Sequence, residues 1–152
     1  VITSLARKIN AKPIFPFQGP TYAPFFQWAL KTGLMHVSPI RLLVHNQTGL
    51  FVSFRGALAL ESEIQLPKPS PSPCPACAAP CASACPVSAF EGEFYDVEAC
   101  QSHVLTLDAE RCVDKGCAAR PQCPVGKDRF RNLEQSSFHM QAFLSSPTAK
   151  SD

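Results

Sequence analysis

Four cysteines fall inside twelve residues, Cys74, Cys77, Cys81 and Cys85, and Pro86 follows directly on the last. So short a run cannot pair off into unstrained disulfides, because each bridge needs Cα atoms about 4.4–6.8 Å apart and Cβ vectors turned towards each other. One compact inorganic centre accepts all of them, and the soft thiolate donor set selects a thiophilic metal or cluster.

The gaps of two, three and three residues are one residue longer, between Cys77 and Cys81, than the bacterial ferredoxin run C-x2-C-x2-C-x3-C-P. In that pattern the first three thiolates wrap one cubane, and the fourth ligates a second cluster. If this run follows that pattern, with Pro86 fixing φ and lacking a backbone donor, Cys85 is expected to point away from the loop before it.

A second set is therefore required, and Cys100, Cys112, Cys117 and Cys123 supply it, with Pro124 again following the last. Eight cysteines divide into two groups of four with none left over. The two Cys-Pro endings suggest a crossed arrangement: Cys74, Cys77, Cys81 and Cys123 on one cluster, Cys85, Cys100, Cys112 and Cys117 on the other. Sequential groups, 74 to 85 and 100 to 123, are the alternative.

Composition agrees with a fold that leans on inorganic cross-links. The 152 residues suffice for one ordinary domain or two small units. An apolar fraction of 45% excludes a wholly disordered chain, while fifteen prolines are too many for a regular helix bundle. No apolar run approaches the length of about 18 residues that a membrane helix needs. The first ten residues do not read as a secretory signal, and the cysteine spacing favours the reducing cytoplasm.

The net charge of +2 hides a split. Pro71 to Glu110 carries six acids and no Lys or Arg, whereas Arg111 to Arg131 carries six bases against two acids. Cluster-bound thiolates add negative charge that the bases can offset, and the basic segment is also a candidate docking face for an acidic redox partner. Nucleic-acid binding is disfavoured, because the bases are few and lack interleaved aromatics.

From the amino end, Ile2, Leu5 and Ile9 have helical spacing. Prolines 13, 16, 20 and 24 alternate with phenylalanines in an extended stretch, and Tyr22 to Thr32 reads as a helix with Pro24 in its first turn and Gly33 as its stop. Phe25, Trp28 and Ala29 share a face, with Trp28 as a packing anchor. Residues 40–45 and 50–54, around a turn at 46–49, suggest a β-hairpin, resumed at Ala57 to Leu60. His36 and His45 lack ligand-spaced neighbours, and Arg55 reads as a strand-end residue bonded to backbone carbonyls. The prolines of 66–73 force an extended spacer between two units. Beyond it, Phe94 to Val97 looks strand-like, and His103 reads first as an ordinary exposed residue, with a hydrogen bond to a cluster sulfur or a ligand role as the second reading. Gly116 frees the backbone before Cys117. A closing helix over Phe130 to Leu144 would present Phe130, Leu133 and Ser137 with Leu144, broadened by Met140 and Phe143, and hold a partly exposed His139.

The run Cys74 to Pro86, the segment Tyr95 to His103, the pair Gly116-Cys117 and the pair Cys123-Pro124 resemble the double [4Fe-4S] ferredoxin-type module of epoxyqueuosine reductases and reductive dehalogenases. Gly19 to Trp28, Arg55 to Leu58 and Gln135 to Phe143 also resemble small bacterial ferredoxin-like proteins. The resemblance covers residues 72–126 most closely, counts Cys100 among the ligands, and implies two [4Fe-4S] clusters. It departs from the family in the extra residue before Cys81 and in the final C-x4-C-x5-C-P.

The expected fold is α+β. A small helix and β-hairpin unit over 1–65 is followed by a Pro-rich linker at 66–73, a loop-rich ferredoxin-like dicluster module over 74–145 closed by a helix, and a polar tail at 146–152. The expected function is one-electron transfer between redox partners, without catalytic side chains. The alternatives are an accessory donor to a reductase, a zinc protein with two four-cysteine sites, and, last, an exported disulfide protein. The roughly 65 residues before the linker are too few to enclose a corrinoid, and no Gly-rich nucleotide loop is present.

Overall fold

Short apolar runs broken by proline give short elements, and the computed structural model of the chain, which describes residues 1–106, 110–127 and 132–145, has no strand longer than three residues among them. The architecture is α+β, with five α-helices and two small antiparallel sheets among the described residues.

Helix α1 (Ile2–Lys8) forms where expected, but its face differs. Ala6 is the buried residue and Leu5 is 47% exposed. Ile2 instead packs over Gly56, where a methyl would come within 2.8 Å of its Cδ1. Strand β1 (Lys12–Ile14) lies in the proline-phenylalanine stretch and pairs with β4 (Ala57–Ala59), Pro13 opposite Leu58. Proline is tolerated because each strand of a two-stranded ribbon is an edge.

Helix α2 (Phe25–Lys31) starts after Pro24, which is its N-cap rather than part of its first turn. Phe25 and Ala29 are buried, and Phe25 meets Trp28 and Phe54 at ring distances of 5.3 and 6.0 Å. Thr32 closes the helix by donating its hydroxyl to the Ala29 carbonyl (2.6 Å). Gly33 follows at φ +66°, and a side chain there would collide with Pro69. The proline run is thus strapped to this end of the molecule: Ser70 N–H donates to the Gly33 carbonyl (2.9 Å), and Asn46 Nδ2 donates to Ser70 Oγ (2.7 Å).

The hairpin is displaced from its expected place. Strand β3 (Leu43–His45) pairs with β2 (Met35–Val37), not with residues 50–54. The expected turn exists, since His45 and Gly49 exchange two backbone hydrogen bonds of 2.9 Å, but no strand follows it. Leu50 is fully buried and its carbonyl is taken by Arg120 Nη1, which leaves that edge committed to a side chain.

Phe94 to Val97 is not a strand. Asp96 accepts the Ala99 N–H (2.8 Å) and starts helix α3 (Val97–Val104), the usual action of an N-cap carboxylate. Helix α4 (Glu110–Lys115) ends at Gly116, which takes φ +86° and lies so close to Ser136 of α5 (Leu133–Ser145) that a Cβ would stand 2.8 Å from the Ser136 Cβ. Ser136 and Met140 form the buried face of α5, with Phe143 and Leu144 beside it; Leu133 is 56% exposed, and Ser137 is not fully buried. The expected Phe130 contact and the tail lie outside the described residues.

The core crosses the proline run. Ile40, Val44 and Leu50 from before it pack with Cys81, Phe90, Ala119 and Cys123 from after it. A second cluster joins Val104, Cys112 and Met140, and Cys117 touches both.

Candidate metal centre

The loop from Cys74 to Pro86 is a chain of tight turns, with the Cys77 N–H bonded to the Cys74 carbonyl (3.0 Å) and the Ala82 N–H to the Ala79 carbonyl (2.9 Å). The residue added relative to the ferredoxin spacing is absorbed at Ala79, which adopts φ +53°. In that conformation its N–H donates to Cys77 Sγ (3.4 Å). After Pro86 the pattern recurs: Ser88 takes φ +51°, and the Ala89 N–H donates to Cys85 Sγ (3.4 Å). Two cysteines thus have a backbone amide aimed at sulfur.

None of the eight cysteines is in a disulfide. They divide between two cavities. Cys74, Cys77, Cys81 and Cys123 line a small one of about 20 Å³, walled by Val44, Leu50 and three prolines. Cys85, Cys100, Cys112 and Cys117 line a larger one of about 540 Å³ that continues beneath α5 to Met140 and Phe143. The crossed grouping follows: Cys85 turns away from its own loop, and Cys123 returns to it. Among the described residues, no group of three or more His, Cys, Asp or Glu side chains forms a ready site for a metal ion.

The small cavity contains an unsatisfied donor. Ser38 is 5% exposed, its hydroxyl has no hydrogen-bond partner, and it stands on the wall beside the four sulfurs. Gly49 closes the other side, where a Cβ would stand 3.0 Å from Cys123 Sγ and overlap the Val125 carbonyl oxygen.

The larger cavity has a different wall. Tyr95 stacks on Phe90 (4.8 Å) and faces Phe143 (6.4 Å), and it lines the cavity together with Cys100. Arg120, in the 3-10 turn Arg120–Gln122, is held inward by Leu50 and carries its charge near Cys117 and Tyr95. His103 and His139 stand on the same wall, with His139 Nε2 3.2 Å from Arg55 Nη2. Arg55 therefore meets a histidine ring rather than the backbone carbonyls expected.

Burial pushes the thiols of Cys74, Cys81 and Cys100 above their ordinary value, with Tyr95 opposing the shift at Cys100. Burial also raises Tyr95 and lowers Arg120, the latter against the pull of Cys117. A lone thiolate is disfavoured in such places, and a bound cation reverses that balance by deprotonating its ligands outright.

Sequence reasoning assigned no role to Ser38 or Tyr95, and it counted Arg120 among the docking bases, whereas Arg120 faces inward. Tyr95 sits in the segment that precedes Cys100, which was its only signal. Lys115 and Lys127 of the same basic segment are exposed. His36 and His45 line neither cavity, and His45 Nδ1 accepts the Gln47 N–H (3.2 Å).

No family model, curated protein or solved structure matches the chain. Among the described residues no helix is long and apolar enough to cross a membrane.

Proposed function

We propose that the chain is a dicluster iron–sulfur protein that passes single electrons between redox partners, with one [4Fe-4S] cluster held by Cys74, Cys77, Cys81 and Cys123 and a second by Cys85, Cys100, Cys112 and Cys117. The observation that carries this reading is the division of eight cysteines, none in a disulfide, between two cavities, four to each, in sets that interleave along the chain. An all-sulfur donor set suits iron–sulfur clusters, each of which, when bound, takes up and releases one electron.

The residues around the sulfurs fit that group. The amides of Ala79 and Ala89 already point at sulfur, the Ser38 hydroxyl lacks any other acceptor, and Gly49 leaves room beside Cys123. Val44, Leu50 and Phe90 pack against the first set, and Phe90, Tyr95, Met140 and Phe143 line the cavity of the second. Four cysteines also suit structural zinc, but a tetrahedral zinc site draws its sulfurs onto one point about 2.3 Å away. The larger cavity, about 540 Å³ with four sulfurs on its wall, has room for a polynuclear occupant. Among the described residues of the basic segment, Lys115 and Lys127 are exposed and could meet an acidic partner. A reducing compartment such as the cytoplasm suits this thiol chemistry.

Anaerobic purification with iron and sulfide analysis tests the reading. About eight irons and eight sulfides per chain are expected, with the low-temperature EPR of reduced cubanes. Cys74→Ala and Cys123→Ala are expected to share one spectral defect, and Cys85→Ala and Cys117→Ala the other. Stoichiometric zinc in a colourless, iron-free protein overturns the proposal.

A further inference from the structure

The two sulfur sets differ in the charges around them. Among the side chains lining the smaller cavity none is charged, and the Ser38 hydroxyl is the one non-cysteine polar group. The larger cavity is lined by a guanidinium, Arg120, and a phenol, Tyr95, besides His103 and His139. Arg120 cannot swing freely into water, because its Nη1 is bonded to the carbonyl of Leu50, a fully buried residue 70 positions earlier in the chain. Tyr95 is clamped between Phe90 and Phe143.

Adding one electron adds one negative charge to whichever sulfur set receives it. A nearby cation and a hydrogen bond to sulfur both stabilise that charge, and burial strengthens the attraction. We propose that Arg120 and Tyr95 act as positioning residues that hold the first added electron at the Cys85, Cys100, Cys112 and Cys117 site in preference to the Cys74, Cys77, Cys81 and Cys123 site. The inference rests on the dicluster reading. The electron comes from an external one-electron donor, which is oxidised as one site is reduced. No bond is made or broken and no proton moves.

The two sites then act as unequal stations rather than as a matched pair. A preference of about tenfold or more corresponds to midpoint potentials separated by about 59 mV or more for a one-electron couple. Arg120 stabilises through its charge and Tyr95 through the phenol dipole it presents on the same cavity wall, so their losses are distinguishable: a lysine at 120 retains the first effect, and a phenylalanine at 95 removes only the second.

The test is a potentiometric titration of the full, iron-loaded chain with dithionite and mediators, followed by EPR, with iron and sulfide measured on every sample. The wild type is expected to show two resolved one-electron waves. Arg120→Gln and Tyr95→Phe should move the higher wave to more negative potential and leave the lower in place, Arg120→Lys should restore most of the charge effect, and Ser38→Ala should move only the lower wave. Cys85→Ser assigns the waves by altering the higher one. Should Arg120→Gln not fold, Tyr95→Phe and Arg120→Lys still decide the matter. Coincident waves in the wild type, or variants with full iron in which the higher wave stays put, overturn the inference and leave the dicluster reading standing. A wild type without iron overturns both.

Discussion

Replacing Gly49 by alanine tests how the amino-terminal turn is fitted to the sulfur site. Gly49 has φ +61°, and its missing side chain faces the Val125 carbonyl oxygen and Cys123 Sγ. A side chain in left-handed backbone costs about 1–2 kcal/mol. Forcing a methyl against a backbone carbonyl adds about 1–3 kcal/mol, the usual range for overpacking, because backbone cannot rotate aside as a flexible side chain can. The sum is about 2–5 kcal/mol. At a urea slope of about 1.5 kcal/mol per molar, the unfolding midpoint should fall by roughly 1–3 M. Displacement of Cys123 should also weaken the set it shares with Cys74, Cys77 and Cys81 and spare the other, so iron analysis should show a partial loss. Gly92→Ala is the control, since its new Cβ would meet only the Phe94 carbonyl at 3.6 Å; the midpoint should stay put. If Gly49→Ala matches the wild type in both midpoint and iron, the argument from close approach is wrong.

Leu50→Ala, which empties a fully buried site between the two sulfur sets, should cost about 2–5 kcal/mol in denaturant unfolding. Asp96→Ala removes the α3 cap and should cost about 1 kcal/mol, while Asp96→Asn should cost much less; equal losses would refute the capping account. Ser38→Ala should stabilise the iron-free chain by about 1 kcal/mol, because it deletes a buried hydroxyl without a partner. Loss of stability in that variant, measured by urea unfolding after chelation, would mean that the hydroxyl is satisfied.

The placement of the cysteines along two cavities was legible because proline after Cys85 and Cys123 marks where the chain turns, and because eight cysteines divide evenly. Helix α2 was legible from Pro24 and Gly33, whose backbone constraints act locally. The hairpin was not. Three-residue strands carry too little alternation to reveal a partner, and the apolar run from Leu50 to Phe54 looked like a strand although Leu50 serves the core and Phe51, Val52 and Ser53 line the larger cavity. Helix α3 was missed for a different reason: the aromatic residues before Asp96 suggested extension, while a single carboxylate accepting the Ala99 N–H was enough to start a helix. Ser38 and Arg120 were beyond reach, since their roles depend on which side chains the fold leaves without water.

The interleaving of the two sulfur sets governs the order in which a growing chain can complete them. The set that starts at Cys74 waits for Cys123, whereas the set that starts later, at Cys85, has its last member at Cys117. During synthesis from the amino end, the loop that emerges first is the one that closes last, and for that interval three thiols stand open to oxygen and stray copper.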